Sequence, residues 1–148
     1  MKPEGPCFDS QWRISCTVKQ VNRRKADSMV KSHYLGMWPQ QVSLTLGLYR
    51  GEKLLGIITF SEIKKAMQDR FGQQTWELSR LWIKDEVPMN AESFFIGRAI
   101  RLIRRERKEL KRLVSFADPK FGHSGIIYKA ANWTEVEHGS KNLFYFDL

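Results

Sequence analysis

The hydrophobic positions of this chain change period several times, and each change marks an element. From Trp12 to Val18 they alternate. Trp12, Ile14, Cys16 and Val18 face one way and Arg13, Ser15, Thr17 and Lys19 the other, which predicts a strand with one wet face. Asn22 stands where it can cap a helix over about 23–31, with Ala26, Met29 and Val30 turned inward. The segment from His33 to Pro39 is rich in large side chains and ends in proline, so it is expected to be a loop with bulk. Two apolar runs, 43–49 and 54–60, are joined by Arg50-Gly51-Glu52-Lys53 and predict a hairpin. Gly56 within the second run suggests a bulge or a close backbone approach. A polar connection over 61–72 has room for one or two helical turns.

The next stretch organises the rest. An apolar run over 76–83 is followed by the turn Lys84-Asp85-Glu86-Val87-Pro88-Met89. A basic amphipathic helix is expected from Asn90 to about Arg112, and a second apolar run over 113–118 closes the unit. Strand, helix and strand in this order predict a right-handed βαβ crossover between parallel strands. Beyond it, Ile126, Ile127, Ala130, Ala131 and Trp133 recur at helical spacing, predicting a short helix from His123 or Ser124 to about Asn132. A final hairpin is expected over 134–137 and 143–146, with His138 in its turn. The order is β α ββ β α β α ββ. It predicts one α/β (α+β) domain over 1–148, with residues 1–10 irregular because Pro3, Gly5 and Pro6 fall there.

Composition alters this picture in one respect. The net charge is +9 over 148 residues, which points to a polyanionic partner such as nucleic acid or a phosphorylated cofactor. Cys7 and Cys16 are the only cysteines, too few and too close for a disulfide scaffold or a zinc site. No apolar run approaches the ~20 residues of a membrane span, and no signal peptide is evident. A soluble, intracellular protein without membrane attachment is expected.

Candidate chemistry clusters in four places. Arg23, Arg24 and Lys25 follow the first helix cap, where the helix dipole disfavours cations, so a phosphate contact is a reason for them. The long helix carries Arg101, Arg105 and other cations around an inward stripe of Phe95, Ile96, Ala99, Ile100 and Ile103. Such a face is either simply solvated or holds a nucleic-acid backbone. At that helix's start, Asn90 and Ser93 offer a polar N-terminus for an anion, yet the turn before it lacks glycine and carries Asp85 and Glu86, which suits a pyrophosphate poorly. His33, beside Tyr34 and with Trp38 near, fits a general base or a metal ligand within an aromatic pocket. Arg80 lies inside an apolar strand and needs a partner, with Glu77 or Asp118 available, or else serves as an anion clamp. Asp118, at a strand's carboxyl end, stands where ligands of such sheets bind. His123, Ser124 and Asp118 do not make a hydrolase triad, because no Gly-x-Ser-x-Gly turn follows a strand. Tyr128 as a proton donor and Asp118 as a base fit better.

The strand order, with its late hairpin, resembles the N-acetyltransferase-like (GNAT) fold, a mixed sheet with flanking helices whose two central parallel strands splay apart. Here those strands would be 76–83 and 113–118. Five spaced blocks carry a narrower resemblance: His33-Tyr34-Leu35-Gly-x-Trp38-Pro39, Glu77-Leu78-Ser79-Arg80-Leu81, Asn90-Ala-Glu-Ser93-Phe94-Phe95-Ile96, Val114-Ser115-Phe116-Ala117-Asp118, and Gly122-His123-x-Gly125-x-Ile127-Tyr128-x-Ala130-Ala131-Asn132-Trp133. Together, over about 20–140, they resemble the Mom family of bacteriophage DNA-hypermodification proteins.

That resemblance implies a transferase that converts adenine in double-stranded DNA to its N6-carbamoylmethyl form. The modification shields phage DNA from restriction, and the expected place is the cytoplasm of the infected bacterial host. It implies functional roles for His33, Tyr34, Arg80, Ser93, Asp118 and Tyr128. Arg23, Arg24, Lys25, Trp38, Arg101 and Arg105 are the expected DNA contacts, and Asn90, Ser93 and Ser124 the expected cofactor contacts. Acetyl-CoA or another acyl or aminoacyl carrier is the implied donor. Iron is the implied metal, with His33, Tyr34 and Asp118 as its candidate ligands. A homodimer is compatible with the sequence. Two other readings stay open: a GNAT enzyme acetylating protein or small-molecule amines, and a non-catalytic DNA-binding anti-restriction protein.

Overall fold

The structure, a computed structural model, describes residues 7–33, 36–117, 125–138 and 141–148. One seven-stranded sheet, in the order β1-β2-β3-β4-β5-β7-β6, forms its centre. The strands are β1 (Cys16–Gln20), β2 (Val42–Arg50), β3 (Lys53–Glu62), β4 (Thr75–Ile83), β5 (Arg112–Ala117), β6 (Thr134–His138) and β7 (Lys141–Asp147). Among the described residues five helices accompany them: α1 (Ser10–Ser15), α2 (Arg23–Ser32), α3 (Lys65–Phe71), α4 (Ala91–Glu106) and α5 (Ile126–Ala130). All neighbouring strands pair antiparallel except β4 and β5, which α4 joins in parallel.

The expected mixed sheet with flanking helices is therefore present, with a correction at one end of each of two helices and at the N-terminus. The alternation over 12–18 is a strand only in its second half. Asp9 caps a helix instead, its carboxylate accepting from the amides of Gln11 and Trp12 at 3.0 and 3.2 Å. The Ser15 hydroxyl bonds back to the Gln11 carbonyl at 2.8 Å. Local capping thus overrides a short period-two pattern, and Ile14, expected inward, is 85% exposed. Helix α4 ends at Glu106 rather than near Arg112. After Ile103 the next buried residue is Leu110, and Lys111 donates to the Gln74 carbonyl at 2.8 Å, so the chain has already turned to start β5 beside β4. Helix α5 begins at Ile126, after Gly125 in the left-handed region. The helix over 65–71 is the expected turn or two.

Two faces of the sheet carry separate cores. On one, α4 buries Ala91, Phe94, Phe95, Ile96, Ala99, Ile100 and Ile103 against Leu46, Leu48, Ile58, Phe60 and Leu78, and α5 adds Tyr128. Each large side chain withdrawn here contributes about 1.5–3 kcal/mol. On the other face α2 lays Ala26, Met29 and Val30 over Tyr49 and Ile57. Near α3 the same side holds Ile63, Val114 and Leu143, with Met67 and Phe71 packed on them. Alternate residues of β3, Ile57 and Ile58, thus belong to opposite cores, as the pleat requires.

Candidate active site

The βαβ unit builds the site through two irregularities. Across β3 and β4, Thr59 pairs with Arg80 and Phe60 with Leu78, so Ser79 is an extra residue, a β-bulge. The bulge resets the alternation. Leu78 stays on the α4 face, while Glu77, Ser79 and Arg80 all point to the α2 face, opposite Ser61 and Thr59. The bulged serine is fully engaged: its hydroxyl lies 2.8 Å from that of Thr59 and 2.7 Å from that of Ser61. Thr59 and Ser61 are themselves buried, so this hydroxyl cluster satisfies polar groups that would otherwise cost stability.

The second irregularity is the end of the β4–β5 ladder. Only Thr75, Trp76 and Glu77 pair with Arg112, Leu113 and Val114. β5 then continues to Ala117 alongside β7, while β4 runs on beside β3 to Ile83. The two parallel strands separate directly after Glu77, at the bulge. Across the gap the Ser115 hydroxyl lies 3.1 Å from the Leu78 carbonyl and 2.7 Å from the Tyr128 hydroxyl. With one proton to give, Ser115 ties β5 to β4 and to α5 as a relay.

Arg80 does not ion-pair with Glu77 in the simple way a strand-buried charge suggests. Its Nη1 donates to the Ser79 carbonyl at 2.7 Å and its Nε to the Met37 carbonyl at 3.3 Å. The guanidinium thereby fastens the loop after α2 over the bulge. His33 is the C-cap of α2, its amide donating to the Val30 carbonyl at 3.1 Å, and its own carbonyl accepts from Gly36 at 2.8 Å. The His33 loop is thus drawn to the same face as Arg80. Trp38 is held by a 2.9 Å bond from Nε1 to the Asp27 carboxylate, and the Arg23 guanidinium sits 4.8 Å from its ring. That indole bond, with Lys31 beside it, lowers the Asp27 pKa.

Glu77 sits at the last rung of the ladder. Burial pushes its pKa up, and the charges of Arg80, Lys141 and Lys64 only partly oppose this. A half-buried carboxyl held ready to take a proton is what the gap offers to chemistry. The spacing of residues suggested Glu77 only as a counter-ion to Arg80. The sequence pattern does not single out Ser79 or Ser115 as site residues, although a lone serine inside each of two apolar strands is a readable signal.

The expected site residues divide as follows. Glu77, Arg80 and the His33 loop share the α2 face, and Tyr128 reaches the gap from the α4 face through Ser115. Tyr34, Asp118 and Ser124 lie outside the described residues. Asp118 follows Ala117, the end of β5. Among the described residues no group of three His, Cys, Asp or Glu side chains could hold a metal. Ser93 and Asn90 stand at the start of α4. There Asn90 is left-handed with no side-chain cap, and the Ser93 hydroxyl donates to the Asn90 carbonyl at 3.2 Å. The shallow pocket beside them is lined by Ile83, Lys84, Asp85, Val87, Pro88, Met89 and Glu92. Two carboxylates, a proline without an amide hydrogen and a Val87 amide already given to Lys84 at 3.0 Å do not suit a diphosphate. The two basic sets part company: Arg23, Arg24 and Lys25 lie on α2, whereas Arg101 and Arg105 lie on α4 across the sheet.

Comparison with known proteins follows the same lines. Residues 15–147 match the Mom protein family. The chain belongs to that family. The methylcarbamoylase Mom of Escherichia phage Mu is 27% identical over 122 residues, covering 78% of this chain and 50% of that protein. The chain thus spans about half the length of the curated relative it matches. Among solved structures, the GNAT domain of a protein from S. lividans superposes with a TM-score of 0.65 at 13% identity, covering 90% of each chain. A spermidine N-acetyltransferase from Vibrio cholerae, in complex with CoA and spermine, gives 0.65 at 11% identity over 90% of this chain and 96% of the other. PaiA N-acetyltransferase from Thermoplasma acidophilum, in complex with coenzyme A, gives 0.62 at 13% over 90% and 99%. At these identities the likeness establishes the fold, which is that of the GNAT acetyltransferases. No helix among the described residues is long and apolar enough to cross a membrane.

Proposed function

We propose that this Mom-family chain is a transferase that attaches a carbamoylmethyl group to the N6 amine of adenine in double-stranded DNA, within the cytoplasm of a phage-infected bacterium. The observation that carries the reading is the gap opened between β4 and β5 at Glu77, with Arg80 on one side and the Ser115–Tyr128 pair on the other. The net charge of +9 supports a polyanionic substrate.

In this reading the adenine leaves the stack, at about a few kcal/mol, and enters on the α2 face. Arg80 and the His33–Trp38 loop position it there. The exocyclic nitrogen attacks the donor's reactive carbon, a new N–C bond forms and the bond from that carbon to its carrier breaks. The amine's proton passes to a carboxylate, Glu77 or Asp118, and Tyr128 protonates the departing carrier. The turn before α4 supplies no diphosphate cradle, so the donor is held mainly along the gap. The test is nucleoside analysis: DNA from cells expressing the chain is digested and examined by mass spectrometry. Carbamoylmethyladenine is expected; an unchanged adenine pool with folded protein present refutes the assignment.

A further inference from the structure

A second basic surface lies on the α4 side, at the sheet's β1 edge. Phe8, Trp12 of α1 and Phe94 of α4 form a contiguous cluster of tilted rings, with the Phe8 ring 5.8 Å from Trp12 and 4.8 Å from Phe94. Phe8 is fixed there by its amide, which donates to the Met89 carbonyl at 2.9 Å. Three guanidinium groups from three elements meet this cluster. Arg50, the last residue of β2, lies 3.9 Å from the Trp12 ring. Arg13 of α1 and Arg98 of α4 lie 5.7 and 5.1 Å from the Phe94 ring. All three are exposed, and none joins an ion pair among the described residues. The nearby Asp9 carboxylate is occupied by the α1 amides.

Three cations against the single neighbouring carboxylate of Asp9 leave a net positive local field that favours an anion. Rings beneath the guanidinium groups hold them in place, which lowers the entropy lost when they close on a ligand. Arginine forks match phosphate oxygens in particular. Position narrows the choice of anion. β2 and β4 are both antiparallel to β3, so Arg50 stands at the same end of the sheet as the mouth of the gap. Arg50 pairs with Lys53 and Arg80 with Thr59, six residues further along β3, so the two lie about 10 Å apart across the sheet and about 20 Å apart along it, a span of about six nucleotides along one strand of a duplex. Ile14, 85% exposed next to Arg13, offers an apolar contact for deoxyribose.

We propose that Arg13, Arg50 and Arg98 form a strip that grips the sugar–phosphate backbone of duplex DNA at the β1 edge of the sheet, about six nucleotides away from the base that enters on the α2 face. The proposal rests on the reading that the chain acts on DNA. It is tested by fluorescence anisotropy with a labelled duplex of about 24 base pairs, titrated with the full chain across a series of salt concentrations. Neutralising each backbone phosphate contact lowers the slope of log K against log salt by about 0.9. The triple variant Arg13→Gln, Arg50→Gln, Arg98→Gln is therefore expected to lower it by about 2–3, and a triple Arg→Lys variant to restore most of the slope. Circular dichroism checks that each variant is folded. Wild-type slope and affinity in a folded triple-Gln chain overturn the strip while leaving the proposed function standing. Absence of duplex binding by the wild-type chain at low salt overturns both. Sedimentation showing that Ile14→Glu dissolves a dimer, with DNA binding unchanged, assigns the surface to a second copy instead.

Discussion

Gly125 offers a quantitative test of how the site is supported. It sits at φ +77, just before α5, and a Cβ there would lie 2.1 Å from Cζ and 2.4 Å from Cε2 of Phe144. Phe144 is fully buried and stacks on Tyr128 with ring centroids 5.2 Å apart. Gly125→Ala therefore incurs two penalties. A left-handed backbone costs an alanine about 1 kcal/mol, and forcing a methyl against a ring that has nowhere to go costs about 1–3 kcal/mol more. The expected loss is about 2–4 kcal/mol. Gly51→Ala is the control, because its φ is +61 with nothing within 4 Å of the added carbon, so only the backbone penalty of about 1 kcal/mol applies. In urea, with a slope of about 2 kcal/mol per molar, the midpoint should fall by about 1–2 M for Gly125→Ala and by about 0.5 M for Gly51→Ala. Equal shifts in the two variants would show that Phe144 yields freely, and the claim that α5 is locked onto β7 would fail.

Three further outcomes are expected. Arg80→Ala removes the tie between the Met37 loop and the β4 bulge and should abolish DNA modification; a soluble variant with full activity by nucleoside mass spectrometry contradicts that role. Ser115→Ala takes a hydrogen-bond partner from the Leu78 carbonyl and the Tyr128 hydroxyl, a loss of about 1–3 kcal/mol visible as a lower thermal midpoint, and wild-type stability would count against the relay. Glu77 has its pKa raised by burial. Its protonated form is favoured in the folded chain, so its contribution is full below the ordinary glutamate pKa and is lost as pH rises through the higher folded value. Glu77→Gln should therefore gain stability relative to wild type as pH rises from acid to neutral, read by urea unfolding at several pH values, and a stability difference independent of pH would refute the shift.

What the sequence determined by itself follows from local physics. Asn22 was legible as a cap and indeed accepts from the Lys25 amide at 2.8 Å. The apolar stripe of α4 was legible because a helix repeats every 3.6 residues. The βαβ order fixed a parallel pair of strands, and Gly56 signalled the tight approach at which an added Cβ would meet the Trp82 carbonyl at 2.8 Å. The five sequence blocks pointed to the family. The tertiary structure alone decided the rest. The bulge at Ser79 depends on how β3 and β4 register against each other, which no local pattern encodes, and it puts Glu77 and Arg80 on one face. The β4–β5 ladder ends where β4 bulges at Ser79, while β5 pairs with β7 on its other edge along its whole length. The division of the basic residues between α2 and α4 depends on which face each helix covers, and a list of charges along the chain holds no information about opposite sides of a sheet.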